Sequence, residues 1–242
     1  MIEITPLGDA ALTVRFGQTA AQSSDKRLAV ILAAKRAIDR ASIPGVVETT
    51  TSYSTLSVFL DLPVLWDATP RAEDVLDQVS ARIREVLRKR GATSPSRRTG
   101  DRIDVPVCFD PSFALDLADL ARLHGLKPDK AAAKFCAVDY RVACIGFLPG
   151  FPYLAGLPSE LETPRRETPR ISVPAGSVAI GNNQAGIYPI DSPGGWSVIG
   201  RTPLEMFDAA REPASLLFAG DSVRFRPISL QEFHQPRGGG AA

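Results

Sequence analysis

Apolar and polar positions alternate from the start of the chain: Ile2 to Thr5 and Ala11 to Phe16, joined by the turn Pro6-Leu7-Gly8-Asp9, predict a strand pair. From Ser23 or Ser24 the period lengthens to that of a helix. Leu28, Ile31, Leu32 and Ile38 share one face, with Lys26, Arg27, Lys35 and Arg36 largely away from it. Ser42-Ile43-Pro44-Gly45 ends this helix, because proline disfavours helical geometry in the residue before it. Val46 to Tyr53 and Thr55 to Leu62 are rich in β-branched residues and predict two further strands. A helix from about Arg71 to Arg90 follows, with an apolar stripe at Val75, Val79, Ile83, Val86 and Leu87 and Gly91 as its stop. This β-β-α-β-β-α order predicts a small open sheet with two helices on one face, and it carries no catalytic signature.

The stretch 91–102, GATSPSRRTGDR, is polar, turn-rich and free of apolar periodicity, which marks a linker between a first domain over residues 1–92 and a second over 93–242. Ile103 to Phe109 resumes strand patterning. Asp116 to His124 and Pro128 to Phe135 predict two short helices, and Tyr140 to Ile145 a buried strand. Beyond Gly146 the pattern changes again: ten of the chain's 19 glycines and ten of its 20 prolines lie between Gly146 and Val223. A backbone bent at so many fixed points forms short strands and shaped loops, not long helices.

Composition narrows the possibilities. The 242 residues are 44% hydrophobic and 23% charged, enough for one large core or two modest ones. A net charge of +1 supplies no field to gather nucleic acid or an anionic membrane. The N-terminus lacks the pattern of a secretory signal, and no stretch approaches a membrane span. Cys108, Cys136 and Cys144 fit no zinc or thiol-redox spacing, so no metal is expected and packing is the favoured role of the thiols. A soluble cytoplasmic protein is the expectation.

Seven strings in the glycine-proline region stand in register across roughly a third of the chain. They are GFLPGFPYLAGLP (Gly146 to Pro158), PRRETPR (Pro164 to Arg170), VPAGSV (Val173 to Val178), QAGIYP (Gln184 to Pro189), SPGGW (Ser192 to Trp196), IGRTP (Ile199 to Pro203) and GDSVRF (Gly220 to Phe225). In this order and spacing they resemble the family whose members are variously called allophanate hydrolase subunit 1, Kip inhibitor and the B subunit of 5-oxoprolinase. GDAAL (Gly8 to Leu12) and DYRV (Asp139 to Val142) extend the similarity. The resemblance implies an α+β N-terminal domain followed by a mainly-β, cyclophilin-like barrel domain. It also implies partners: the cognate C subunit of 5-oxoprolinase, whose related barrel pairs with this one, and, in the 5-oxoprolinase form, the A subunit of that enzyme. Where the resemblance leads one to expect histidine shortly before the Tyr140-Arg141-Val142 strand, this chain has Phe135. His124 and His234 lie outside the motifs, so a histidine base is poorly supported.

The substrate implied is 5-oxoproline, a lactam whose amide resonance resists hydrolysis and whose opening the family couples to ATP. Such a site needs positive donors more than a nucleophile. Arg170 and Arg201 are the candidate catalytic groups, and Arg165 and Arg166 are further guanidinium forks for a carboxylate or phosphate. Gln184 and Tyr188 offer directional hydrogen bonds to an amide edge. Gly194 and Gly195 let backbone amides approach a ligand, and Ser192 adds a hydroxyl. Each group has a plainer reading. The arginines could pair with Glu160, Glu162 and Glu167, Trp196 could plug a core beneath a tight turn, and Asp191 and Asp221 are favoured as turn caps. Phe147, Phe151 and Tyr153 fit either a structural loop or the lining of a pocket or interface.

No Walker-type string, G-x-S-x-G elbow or H-E-x-x-H motif is present, and GNNQAG at 181–186 lacks the setting of a dinucleotide fingerprint. ATP is therefore expected to serve the assembled complex from a site this sequence does not announce. The favoured function is the B subunit of an ATP-dependent bacterial 5-oxoprolinase, inactive alone. The alternatives are a Kip-type inhibitor of a sensor histidine kinase and a carboxyltransferase-related component of urea or allophanate metabolism.

Overall fold

A computed structural model of the chain describes residues 2–17, 24–68, 72–89 and 102–235. The chain divides into two compact units, 1–98 and 99–242, and each is built around its own core.

In the first unit β1 (Ile2–Pro6), β2 (Ala11–Phe16), β3 (Val46–Thr51) and β4 (Thr55–Leu60) form an antiparallel sheet in the order β1-β2-β4-β3. Leu12 and Val14 on β2 and Leu56 and Val58 on β4, each pair two residues apart, point to one face. There they meet Ile31 and Ile38 of α1 (Ser24–Ala41) and Val75, Val79 and Ile83 of the helix at Ala72–Lys89. The periodicity-based elements are therefore present. One element was not anticipated: Leu62–Ala68 is a short helix, α2, so the second of these helices is α3. Its start has a physical signature, because the Asp61 side chain accepts a hydrogen bond from the Val64 amide at 3.3 Å and Pro63 sits in the first turn. Leu62 thus belongs to a helix rather than to the end of a strand. The polar stretch 91–102 lies outside the described residues except for Arg102, which opens the next strand.

The second unit contains a closed barrel of seven strands: β5 (Arg102–Cys108), β6 (Asp139–Ile145), β7 (Pro152–Ala155), β9 (Ser177–Gly181), β10 (Gln184–Ile187), β12 (Ser197–Arg201) and β13 (Ser222–Ile228). Around the barrel the order is β10-β7-β6-β13-β5-β12-β9. All pairs are antiparallel except β13 with β5, which run parallel from Ser222 opposite Arg102 to Ile228 opposite Cys108. Alternate residues, Val105 and Val107, Val178 and Ile180, Ala185 and Ile187, Val223 and Phe225, fill one core with residues of α4 (Leu117–Leu123) and α5 (Pro128–Cys136). Two short strands, β8 (Arg170–Val173) and β11 (Ser192–Gly194), form a separate pair, and α6 (Leu230–His234) closes the described chain.

Phe135, the residue found where histidine was expected, is fully buried. Its ring packs on Tyr140 and Phe225, and its carbonyl accepts the Tyr140 hydroxyl at 2.9 Å. Among the described residues no helix is long and apolar enough to cross a membrane. All three cysteines are free, with Cys108 and Cys144 buried and Cys136 half-buried. Burial pushes the Cys136 and Cys144 thiols up to about 11. At pH 8 the native chain should therefore alkylate at these two positions at least about a hundredfold more slowly than the urea-unfolded chain, because the thiolate is the reactive form. Equal rates in residue-resolved mass spectrometry would contradict that state of the thiols.

Candidate functional site

Two of the three arginines in the Pro164 to Arg170 run, Arg166 and Arg170, converge on one carboxylate, Asp116. Arg170 donates from both terminal nitrogens, Nη1 to Oδ2 and Nη2 to Oδ1, each at 2.7 Å, in a bidentate fork. Arg166 adds a bond from Nη1 to Oδ1 at 2.8 Å. The Val198 amide donates to Oδ2 at 2.7 Å, and the Asp116 amide donates to the Val198 carbonyl at 2.8 Å. Asp116 is buried and precedes α4, yet it makes no side-chain cap to its own helix because the carboxylate is turned toward the arginines. The hydrogen bond to Asp116 raises the Arg170 pKa further above its ordinary value. Neither sequence reading of this run named Asp116. Glu160 is paired with Lys134 at 3.2 Å instead, and the forks expected to face an outside anion already hold one belonging to the chain. Asp116 lies fifty or more positions before its partners, inside an ordinary helix start, and gives no local signal.

Next to this ion cluster the outer side of the barrel is covered by rings. Phe151 contacts Tyr153, Tyr188 and Trp196 at centroid distances of 4.9, 5.3 and 5.7 Å. The glycines of the motifs make room for them. A Cβ at Gly181 would lie 2.6 Å from Trp196, one at Gly186 would lie 2.7 Å from Phe151, and one at Gly194 would lie 2.3 Å from the Tyr188 hydroxyl. Gly194, expected to open the backbone to a ligand, is therefore occupied by the Tyr188 ring. Gly195 has more space, and its carbonyl accepts the Arg166 amide at 2.7 Å. Trp196 is the core plug of the plainer reading, with the Arg165 guanidinium 5.9 Å above its ring. Arg165 itself is exposed. Burial raises the Tyr188 hydroxyl, and the nearby Arg165 and Arg170 partly offset this. Phe147 stacks edge-on against Phe151 and Tyr188 and stays 61% exposed, with a left-handed φ of 70°.

The remaining candidates lie nearby or apart. Gln184 is half-buried opposite Gly181 on the β9–β10 hairpin, and the strand pleat puts it on the same face as Gly186, where the rings pack. Ser192 is buried, and its hydroxyl has no hydrogen-bond partner among the described residues. Asp221 accepts the Phe218 amide at 2.7 Å as a local turn cap, whereas the preceding Asp191 accepts the Ala175 amide at 2.7 Å and so ties its turn to a loop 16 positions earlier. Arg201 stands away from Asp116. Its Nε donates to the Ala175 carbonyl at 2.7 Å, and its guanidinium lies 5.6 Å from the Phe113 ring and 6.0 Å from the Phe233 ring. The structure thus groups Arg165, Arg166, Arg170, Tyr188, Gly194 and Gly195, and links the segment of Ser192 to Arg201 through Asp191 and Ala175.

A cavity of about 400 Å³, lined by Cys108, Phe109, Asp110, Asp129, Ile228 and Leu230 among others, contains none of these candidates. Among the described residues no group of three His, Cys, Asp or Glu side chains is placed to hold a metal ion.

Residues 2–217 match the family model described as the carboxyltransferase domain, subdomain C and D. The B subunit of 5-oxoprolinase from Bacillus subtilis (strain 168) is 35% identical over 237 residues, covering 96% of this chain and 95% of its own. The protein of the same name from Escherichia coli O157:H7 is 37% identical over 221 residues, covering 91% and 94%. Among solved structures TTHA0988 superposes with a TM-score of 0.71 at 31% identity. That match covers 95% of this chain but 41% of the other, so the chain spans about two fifths of that longer polypeptide.

Replacing Asp116 by Asn removes the charge that both guanidinium groups share. The expected loss is roughly 2–3 kcal/mol, below the value for a fully enclosed pair because Arg166 and Arg170 keep access to water. A urea midpoint unchanged from the parent chain would show that the cluster does not hold this unit together.

Proposed function

The chain belongs to the carboxyltransferase-domain family, subdomain C and D, and on that premise we propose that it is the B subunit of an ATP-dependent 5-oxoprolinase. It opens 5-oxoproline to L-glutamate together with the A and C subunits of that enzyme. The observation that carries this reading is the near full-length similarity to two 5-oxoprolinase B subunits at 35% and 37% identity. On the same grounds the barrel is read as cyclophilin-like and the assembled enzyme as cytoplasmic.

The chemistry follows from the donors. Opening a lactam places negative charge on the carbonyl oxygen, and fixed cationic donors stabilise that charge best where water is excluded. In the complex ATP supplies the phosphoryl group that activates this oxygen. No part of this chain has the sequence pattern of a nucleotide loop, so that site is assigned to the assembly. Arg201 is given the catalytic role because only its Nε is engaged among the described residues, which leaves its terminal nitrogens for an anion. Arg165, exposed beside Trp196, is a second contact for substrate carboxylate. Arg170, expected from the sequence to be catalytic, and Arg166 are instead tied to Asp116; they fix the loop that carries Arg165 and act as positioning residues. Gln184 and Ser192 supply neutral hydrogen bonds, and Tyr188, Gly194 and Gly195 shape the wall. Ser192 fits this role because its hydroxyl is buried without a partner.

The family description also favours, as a second reading, a carboxyltransferase-related component, for which urea is the substrate to be tested. Co-expression of the chain with its candidate A and C partners separates the two. ATP hydrolysis dependent on 5-oxoproline is the expected result, and dependence on urea would transfer the assignment. Absence of both, with suppression of histidine-kinase autophosphorylation by the isolated chain, would replace the enzyme reading with an inhibitor. In the active complex Arg201→Ala should reduce turnover at least about a hundredfold, the scale of one lost oxyanion donor, with little change in melting temperature. An unchanged rate would place Arg201 among the structural residues.

A further inference from the structure

We infer that Arg201 presents a pre-aligned oxyanion-binding edge, and that Phe113 and Phe233 are its positioning residues. The second ring is supplied by helix α6. This deepens the reading above by naming which arginine meets the anion and what holds it there.

A guanidinium has five N–H donors in one plane. In Arg201 one of them, Nε–H, is fixed on the Ala175 carbonyl at 2.7 Å, and this sets the orientation of the plane. The flat group lies against two rings that touch each other, Phe113 and Phe233, whose centroids are 4.4 Å apart. A ring face attracts the cation without using any N–H. Among the described residues the terminal nitrogens have no hydrogen-bond partner and Arg201 has no ion pair, although it is only half-exposed. Asp191 is engaged by the amide of Ala175, the residue whose carbonyl holds the Arg201 Nε. The other three arginines differ. Arg166 and Arg170 share the single charge of Asp116, which takes up one terminal nitrogen of the first and both of the second, and Arg165 is exposed beside the Trp196 face.

Helix α6 is built to deliver this contact. It has five residues, begins with a reciprocal capping box between Ser229 and Glu232, and is exposed except at Phe233. The half-buried Phe233 side chain lies on Phe113 and beside the Arg201 guanidinium. Removing that ring leaves the charge in place while the guanidinium loses its alignment. The expected effect is on affinity for a carboxylate or phosphate oxyanion.

The test uses the full chain labelled with ¹⁵N and follows the Arg201 Nε–H resonance during titration with inorganic phosphate and, separately, 5-oxoproline. A saturable shift is expected with at least one probe, and the probe that acts tells a phosphoryl contact from a substrate carboxylate contact. Phe233→Leu should weaken that binding about five- to tenfold, the scale of one partly desolvated cation–π contact. Phe233→Tyr should restore it to within about twofold, and Phe113→Leu should repeat the loss if the α6 variant unfolds its helix. An unmoved resonance with both probes, or parental affinity in both leucine variants, overturns the inference. Activity of the reconstituted complex is scored independently. A complex that turns over 5-oxoproline while Arg201 ignores both probes leaves the proposed function standing without this edge. A responsive Arg201 in a complex with no turnover leaves the edge standing and removes the function.

Discussion

The second unit depends on one buried negative charge. Asp116 binds two guanidinium groups and the amide of Val198, so it links the start of α4, the arginine loop and strand β12 at a single point. A buried carboxylate is tolerable only when its acceptor sites are filled, and here four N–H donors fill them. The proline-rich loop from Pro164 to Pro169 has almost no apolar anchor of its own. Its path is set by this charge cluster and by the Arg166 amide on the Gly195 carbonyl.

The aromatic cover on the outer side of the barrel depends in turn on that path. Trp196 follows Gly195 directly and packs into the space left by Gly181 and Gly186, while Tyr188 fills the gap at Gly194. Small residues on the strands and large rings from the loops are thus two halves of one packing solution, and a methyl group at any of the three glycines would collide with a ring. The same strand β12 that receives the Asp116 carboxylate at Val198 carries Arg201 at its end. The ion cluster and the unpaired arginine are therefore held by one rigid element.

Much of this was readable from residue patterns, and the failures share a cause. The amphipathic stripes at Leu28 to Ile38 and Val75 to Leu87 identified α1 and α3, because burial against a sheet needs a local periodic face. Helix α2 was missed because seven residues are too few to show a period, and only the Asp61-Leu62-Pro63 start marks it. The motif strings single out Arg165, Arg166, Arg170 and Arg201, but residue type alone does not say which of them are tied to a carboxylate of the chain itself. That depended on Asp116, whose partnership is a long-range contact without sequence periodicity. Gly194 shows the same limit: a glycine kept clear for a ligand and one kept clear for a neighbouring ring look the same until Tyr188 is placed.

The parallel pairing of β13 with β5 has a consequence for how the molecule is made. Arg102 must wait for Ser222 and Cys108 for Ile228, so the barrel cannot be sealed until the chain has left the ribosome as far as Ile228. Until then β5 and β6 each lack the neighbour that β13 will provide, and their unsatisfied amides and carbonyls are open to strand addition from another nascent copy. The last barrel strand to be synthesised is thus also the one that protects the earlier strands from aggregation, and a chain cut short before it would lose solubility as well as shape.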